Sequence, residues 1–462
     1  MKNFLYKIIN NTEYEDKLLI LIYFLFPFLL CMSIFLTDFF ASIAGLVVIY
    51  IFISKTNFYN FIKPIKKEIY LFLFFFIIII ISLIFSNNFK ASFPSSFFYF
   101  RYILFSLGLY YLLKKYKFMI DVLTISLVSC LILICIDSVL QFFTYQNLFR
   151  YNLPNINGLK ADDPNVTRYV TSFFDQEKKL GSFVVRLLPF IISLTFFYNN
   201  LRKYKLDLII IIFSGIIIFF TTERTALFLY IVFCFFYFLI INYKSLIFIF
   251  ILSVTIILFE NNDAFFNKYI FGTLNQIGLT QSVGTNSFGY KVNNVITKKE
   301  NRKIYYYSEE HENLSYTGLK IFEKNILTGS GIKNFYSTCY DLIEETKQYL
   351  KNPDTLHLHP RNNSLVCSTH PHSTYIQLLS DIGILGFIFI SFIFINILLN
   401  SLKIIYLGNF KNNPHVSAYY LVNIGIILNL LPFVPSGSFF NNWICYIIFY
   451  PIGYWLYLKK KL

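Results

Sequence analysis

Long runs of apolar residues, separated by short polar connections, dominate the chain from one end to the other. Many of these runs approach the ~20 residues that an α-helix needs to cross the hydrocarbon core of a bilayer. A helix pairs every backbone N–H and C=O group within the segment, which the bilayer requires. The pattern predicts an all-α polytopic membrane protein with about twelve transmembrane helices. The predicted spans are 18–36, 39–54, 69–86, 97–113, 118–144, 181–199, 207–221, 225–242, 245–260, 374–399, 416–434 and 440–457.

Two stretches are too long and too polar to be simple connections between helices. One is residues 145–180, and the other is a large loop at 261–373 between the ninth and tenth predicted spans. We therefore expect nine helices in residues 1–260 and three in residues 374–462. Apolar residues recur at helical spacing near 314–326, which predicts a short helix inside the large loop.

Composition and charge narrow the class of protein. The chain is 56% apolar and 14% charged, with a net charge of +15. That charge would suit a nucleic-acid-binding protein, but the lysines gather in alternate short connections and form no continuous basic face. The opposite short connections carry only Lys90 and Arg224. Because cytoplasmic connections are the basic ones, we expect cytoplasmic N- and C-termini and both long loops outside. We also expect membrane lipids as partners and no nucleic acid.

The seven cysteines fall into two groups. Five lie inside predicted spans and are interpreted as small buried apolar residues. Cys339 and Cys367 both lie in the large loop, on the oxidising side of the membrane, where disulfides form. We expect either a disulfide that positions the segment entering the tenth span or two unpaired buried thiols. No Cys or His spacing resembles a zinc site.

Ionisable residues inside spans are costly and usually functional. Arg186 lies about 8 Å below the outer end of the sixth span, and Asp137 lies about 10 Å below that of the fifth. Arg224 occupies a tight turn between the seventh and eighth spans. Their bias towards the outside predicts a site that opens outward and binds an anionic ligand. Asp137 has an alternative role, as the partner of an arginine.

Two histidines stand where the large loop enters the tenth span. His370 and His372 would lie at the membrane surface, and a histidine titrates near ambient pH, which suits proton transfer. A capping or structural role is the alternative. Downstream, Gly383 and Gly386 are expected to allow close helix approach.

The segment from Cys367 to Gly386 resembles the signature of the O-antigen ligase and O-antigen polymerase family. The shared pattern is a histidine, a small polar residue, an aromatic residue and a leucine-rich helix with Gly-x-x-Gly. The family usually has asparagine after the second histidine, where this chain has Ser373, which keeps a hydrogen-bonding group for a neighbouring contact. Three further stretches resemble the family in the same order, so that the match covers roughly 165–400. They are 168–176 with 181–189, then 221–226, and then 327–335.

The resemblance implies glycosyl transfer at the periplasmic face of the bacterial inner membrane. The implied donor is a glycan on undecaprenyl diphosphate, and the implied acceptor is a hydroxyl of lipid A–core. His372 is the implied base, with His370 as helper or substitute. Positive charge for the leaving diphosphate is expected from Arg224, Arg186 and Arg168, because guanidinium groups match phosphate oxygens.

The remaining expectations concern the surroundings of this site. Asp175 and Gln176 orient Arg168 or a sugar, or else they form only a turn. No carboxylate pair is placed to hold Mg²⁺, so we expect a metal-independent enzyme without a cofactor.

Other activities remain open on the sequence. A polymerase would join the glycan to a second lipid-linked unit, and some family members glycosylate proteins. A polysaccharide transporter is a further alternative, but transporters usually place polar groups at the membrane midplane in two related halves. This chain has no such repeat, and its charges are biased outward.

Overall fold

The computed structural model describes residues 12–55, 58–149, 169–175, 177–197, 200–241, 272–277, 304–305, 307–350, 365–408 and 413–462. These residues are helical and include no strand beyond one isolated bridge. The α-helices among them are α1 Tyr14–Met32, α2 Ile34–Ser54, α3 Phe58–Ile62, α4 Lys66–Ile84, α5 Phe89–Phe97, α6 Phe100–Lys115, α7 Met119–Thr144, α8 Leu180–Thr195, α9 Asn200–Thr221, α10 Arg224–Ile241, α11 Gly272–Gln276, α12 Glu309–Lys324, α13 Phe335–Leu350, α14 Thr374–Leu407, α15 Pro414–Asn429 and α16 Asn442–Lys459.

The all-α class is confirmed for the described residues. Each predicted span that falls among them overlaps an α-helix, although the eleventh, 416–434, extends beyond the helix end at Asn429; the ninth, 245–260, lies outside the described residues. Five helical stretches are long and apolar enough to cross a membrane: Ile34–Ser54, Phe58–Ile84, Phe89–Lys115, Met119–Thr144 and Thr374–Leu407. Three shorter apolar helices accompany them. The total of twelve spans stays a prediction.

The boundary between the first two spans differs from the one that the sequence predicts. The first helix ends at Met32 instead of at residue 36. Ser33 is extended there, and its side chain accepts a hydrogen bond from the backbone N–H of Leu36 in the first turn of α2. Serine at this position supplies one acceptor that the first turn of a helix lacks. A single capping serine thus interrupts an otherwise continuous apolar run.

Aromatic side chains fill the centre of the bundle where α1, α6 and α16 meet. The rings of Phe26 and Phe105 lie 4.4 Å apart, and Phe26 and Tyr450 lie 5.0 Å apart. The hydroxyl of Ser106 donates to the carbonyl of Phe449 at 2.6 Å, which holds α6 and α16 in register. Because aromatic pairs of this kind add to the stabilisation from buried area, this centre stabilises the packing of α16 against α1 and α6.

Helix α14 is broken at Gly383, where the backbone has a φ of 70° and a ψ of −168°. Such a break leaves carbonyl and amide groups without partners inside the helix. The segment Leu327–Phe335, here called the glycine turn, supplies those partners together with the residue that precedes it. Ser330 and Gly331 donate their N–H groups to the carbonyls of residues 380 and 381, at 2.8 and 2.9 Å. In return, the N–H of residue 384 donates to the carbonyl of residue 326 at 2.8 Å.

Glycine is required at this contact for two reasons: the backbone has a positive φ, and a side chain would clash with neighbouring backbone atoms. A Cβ atom on Gly383 would lie 2.3 Å from the carbonyl oxygen of Leu327, and one on Gly329 would lie 2.4 Å from the carbonyl carbon of Asp381. The expected role of Gly383, close packing of neighbouring helices, is therefore replaced by a different one. It breaks the helix so that a loop can bind to its backbone.

We expect Gly383→Ala to lower the thermal stability of the purified protein more than Gly408→Ala. Both glycines have positive φ, 70° and 62°, where a side chain costs about 1–2 kcal/mol. Only Gly383 faces backbone atoms, because nothing lies within 4 Å of a Cβ on Gly408. The apparent melting temperature in detergent should therefore fall further for Gly383→Ala, because this position combines the close contact with a ψ of −168° that is almost restricted to glycine. Equal decreases would contradict this account of the glycine turn.

Candidate functional site

Three histidines meet at the start of α14. The rings of His370 and His372 lie 4.1 Å apart, centroid to centroid, and the ring of His311 lies 5.8 Å from that of His372. His311 belongs to α12, the helix predicted near 314–326, which in fact spans residues 309–324. The sequence reasoning did not single out His311. The sequence feature that could have indicated His311 is the serine at 308. Its side chain caps α12 and forms a hydrogen bond with the Nδ1 atom of His311 at 2.7 Å.

The loop between α15 and α16, residues 430–441, holds the histidine segment in place. Ser436 donates its backbone N–H to the carbonyl of His372 at 2.9 Å, and Ser373 forms a bridge with Pro435. His372 itself has a φ of 52°, a conformation that few non-glycine residues adopt. Strain of this kind persists where the surroundings hold it.

Helices α12 and α13 hold the other side of the same segment. Cys339 of α13 and Cys367 are joined in a disulfide. The hydroxyl of Thr317 in α12 accepts a hydrogen bond from the backbone of Val366 at 3.1 Å. A small apolar core supports both contacts and includes Leu314, Ile321, Phe335 and Leu342. The large loop therefore ties down the residues that immediately precede His370.

The environment keeps all three imidazoles uncharged near neutral pH. Burial, and then the neighbouring His372, lower the pKa of His370 to about 4, although the backbone of Ser436 opposes this shift. Burial also lowers the pKa of His372 and of His311, and Glu310 opposes it through its negative charge. Among the described residues, nothing hydrogen-bonds the buried Nε2 atom of His370. A neutral imidazole of this kind can accept a proton from a bound hydroxyl group.

Arg186 lies in α8 and is 4% exposed. Its guanidinium donates to the hydroxyl of Ser182 at 3.1 Å and to the side-chain oxygen of Asn429 at 2.7 Å. Neither partner is charged. The residue after Asn429 connects this region to the histidines, because the Tyr375 hydroxyl donates to the carbonyl of Leu430 at 2.8 Å.

Arg224 begins α10, and its guanidinium donates to Gln276 at 2.7 Å. The preceding residue, Glu223, accepts hydrogen bonds from the backbone of Gly181 at 2.8 Å and of Ser182 at 3.1 Å. The sequence reasoning passed over Glu223, although a carboxylate is the expected group at a helix N-terminus. It connects the turn that carries Arg224 to the first turn of the helix that carries Arg186.

Asp137 has a structural partner instead of an arginine. Its side chain accepts hydrogen bonds from the backbone of Leu148 and from the hydroxyl of Ser172. Gln141, one turn further along α7, accepts from the backbone of Thr171 and Ser172 at 3.0 and 2.8 Å. These two side chains fix the segment that enters α8.

The other predicted residues fall in different places. Asp175 is exposed in a turn with a φ of 52°, and Ser373 precedes α14 without a side-chain cap bond to it. Arg168 and Gln176 lie outside the described residues. Within the described part of the chain, no cluster of three or more His, Cys, Asp or Glu side chains could hold a metal ion.

The neutral histidines predict a pH-dependent stability. His370 has a pKa of about 4 in the fold against 6.5 when exposed, so it stabilises the fold fully above pH 6.5 and progressively less as the pH falls towards 4. We expect the apparent melting temperature to fall across that range, and to fall less in His370→Gln. Parallel pH curves for the two proteins would show that His370 is not the group responsible.

A comparison with protein families places this site in context. Residues 209–391 match the family model described as O-Antigen ligase. The match includes Arg224, His370 and His372 but begins after Arg186. No curated protein matches the chain at a significant level.

Similarity to this family suggests a glycosyltransferase-like enzyme of the O-antigen ligase or polymerase kind. It also implies, in general terms, a lipid-linked glycan and a glycan acceptor as partners. Together with the apolar helices, it also indicates a membrane protein. Residues 209–391 of the chain are therefore similar to the O-antigen ligase family.

Proposed function

We propose that the protein is a ligase that transfers a glycan from undecaprenyl diphosphate to a hydroxyl of lipid A–core, at the periplasmic face of the inner membrane. The observation that carries this proposal is the cluster of neutral histidines at the start of α14. The cluster lies inside the region that matches the O-antigen ligase family. A polar, partly buried site at the end of a helical bundle suits a substrate that stays anchored in lipid.

In the proposed reaction, the acceptor hydroxyl attacks the anomeric carbon of the donor sugar. Its proton passes to the imidazole of His372 as the new C–O bond forms. The bond from the anomeric carbon to the diphosphate breaks, and the diphosphate leaves with the electron pair. His370 packs against His372 at 4.1 Å and positions it, and His311 lies 5.8 Å from the same ring. An imidazole that is uncharged before the reaction is the form that can act as a base.

The departing diphosphate gains negative charge and needs fixed positive charge nearby. Arg186 suits this role because its hydrogen-bonding partners are neutral, and the nearby carboxylate of Glu223 bonds the backbone of α8 instead of the guanidinium. Arg224 would act from the turn between α9 and α10, and Arg168 would join them from the loop before α8. We propose that these guanidinium groups act without a metal ion. Asp175 and Gln176 would orient Arg168 or a sugar.

A polymerase is the second candidate. It would use the same base and the same arginines, because only the acceptor differs. The family description refers to ligases, which favours lipid A–core as the acceptor. A transporter would not need a base, and the three neutral histidines disfavour that alternative.

We expect His372→Gln to lower the transfer rate by about 100-fold or more, which is the usual contribution of a general base. His370→Gln and His311→Gln should cause smaller losses if they position His372. His415→Gln is the matched control, because His415 lies at the start of α15 against Phe197, away from the cluster. A His372→Gln enzyme that keeps the wild-type rate would exclude this residue as the base.

A transfer assay with purified protein decides the acceptor. The donor is an undecaprenyl-diphosphate glycan, supplied with either lipid A–core or a second lipid-linked glycan, and with EDTA present. We expect product on lipid A–core. Lengthened lipid-linked glycan would instead establish a polymerase, and activity that returns only when Mg²⁺ is restored would overturn metal independence.

A further inference from the structure

A polar cavity of about 340 Å³ is lined by none of the three clustered histidines. Residues from α2, α5, α6, the glycine turn and the start of α16 line it, and none of them has a role in the proposed transfer. Its polar lining residues are Asp38, Ser42, Ser95, Arg101, Lys333 and Asn442. We call this cavity the α5 pocket.

The pocket holds two cations and one anion. Arg101 lies 3.0 Å from Asp38, and Asp38 also accepts a hydrogen bond from Tyr446 at 2.7 Å. The charge of Asp38 is therefore already balanced. Lys333 is exposed and makes no hydrogen bond or ion pair with any described residue, which leaves the pocket with an excess positive charge.

The backbone fixes the position of this lysine. Lys333 has a φ of 66° within the glycine turn, between Gly331 and Asn334. The side chain of Asn334 donates to the carbonyl of Ser330 at 2.8 Å, and Ser92 of α5 donates to the carbonyl of Ile332 at 2.7 Å. These bonds attach the turn to α5, so that the lysine stays at the edge of the pocket.

The lining matches the oxygen atoms of a phosphate. A guanidinium and an ammonium group form strong charge-assisted hydrogen bonds with phosphate. Serine hydroxyls and the amide of Asn442 add neutral donors around them. The volume lies at the small end of the range for ligand pockets and suits a head group instead of a whole glycan.

The surroundings of the pocket point to an amphiphile. Helix α5 and the residue that follows it expose phenylalanine rings, with Phe89 53%, Phe97 43% and Phe98 44% exposed, and Phe98 lines the pocket itself. The rings of Phe93 and Phe97 stack 5.1 Å apart. Aromatic rings are enriched where a membrane meets water. A charged pocket bordered by such rings can take a phosphate while the attached chains lie along the apolar surface.

We propose that the α5 pocket binds the phosphate group of an anionic lipid, through Arg101 and Lys333. Two lipids share this chemistry, a bilayer phospholipid and a polyprenyl phosphate. The proposal does not depend on glycosyl transfer, because binding at this pocket can be measured with the transferase inactive.

Native mass spectrometry of the purified full-length protein tests this proposal. The probes are dioleoyl phosphatidic acid, undecaprenyl phosphate and dioleoylglycerol, which lacks a phosphate. We expect the phosphate lipids to bind, and Lys333→Gln to weaken their binding about tenfold, as expected for the loss of one charge-assisted hydrogen bond. Lys90→Gln is the matched control, because Lys90 is an exposed lysine of α5 that does not line the pocket.

Each outcome has a defined meaning. Equal binding of dioleoylglycerol, or equal losses in Lys333→Gln and Lys90→Gln, would overturn the proposal. Arg101→Gln should weaken binding at least as much, but it also removes the partner of Asp38, so Lys333→Gln remains the decisive variant. Preference for phosphatidic acid would assign the pocket to bilayer lipid, and preference for undecaprenyl phosphate would assign it to polyprenyl carriers.

Discussion

The backbone pairing between the glycine turn and the break in α14 is the contact on which the rest of the site depends. A helix broken inside an apolar bundle leaves polar groups unpaired, and each such group is costly away from water. The glycine turn satisfies them with its own N–H and C=O groups. These bonds attach the large loop to α14, and the histidines lie at the start of this helix. The same turn carries Lys333 to the α5 pocket.

A second constraint concerns charge. The site keeps its histidines neutral through burial and mutual proximity, and it keeps Arg186 in contact with neutral partners. A base and a cation that were paired with each other would be unavailable to a substrate. In the structure, the histidines and Arg186 are not paired with each other. Arg186 bonds Asn429 at the end of α15, and the next residue, Leu430, bonds Tyr375 near the histidines. Glu223 satisfies backbone groups of α8 in this arrangement.

Much of this architecture follows from the sequence. The apolar runs are long enough to fix the class of fold, because a bilayer permits few other structures. The histidine motif, the turn that carries Arg224 and the glycine turn are recognisable in the sequence as short patterns. The boundary at Ser33 was not recognised, because one capping side chain outweighed the apolar pattern around it. Gly383 was recognised as important, but its role in breaking the helix depends on a partner more than fifty residues earlier in the chain.

Local composition and spacing are enough to indicate a helical membrane protein, to single out the two histidines beside α14 and to carry the family resemblance. Only the tertiary structure brought His311 to His372, joined Cys339 to Cys367, assigned Asp137 to Ser172 and placed Lys333 beside Arg101. These contacts connect residues far apart in the chain. Periodicity reports which face of a helix is apolar, but it does not report which distant segment packs against that face.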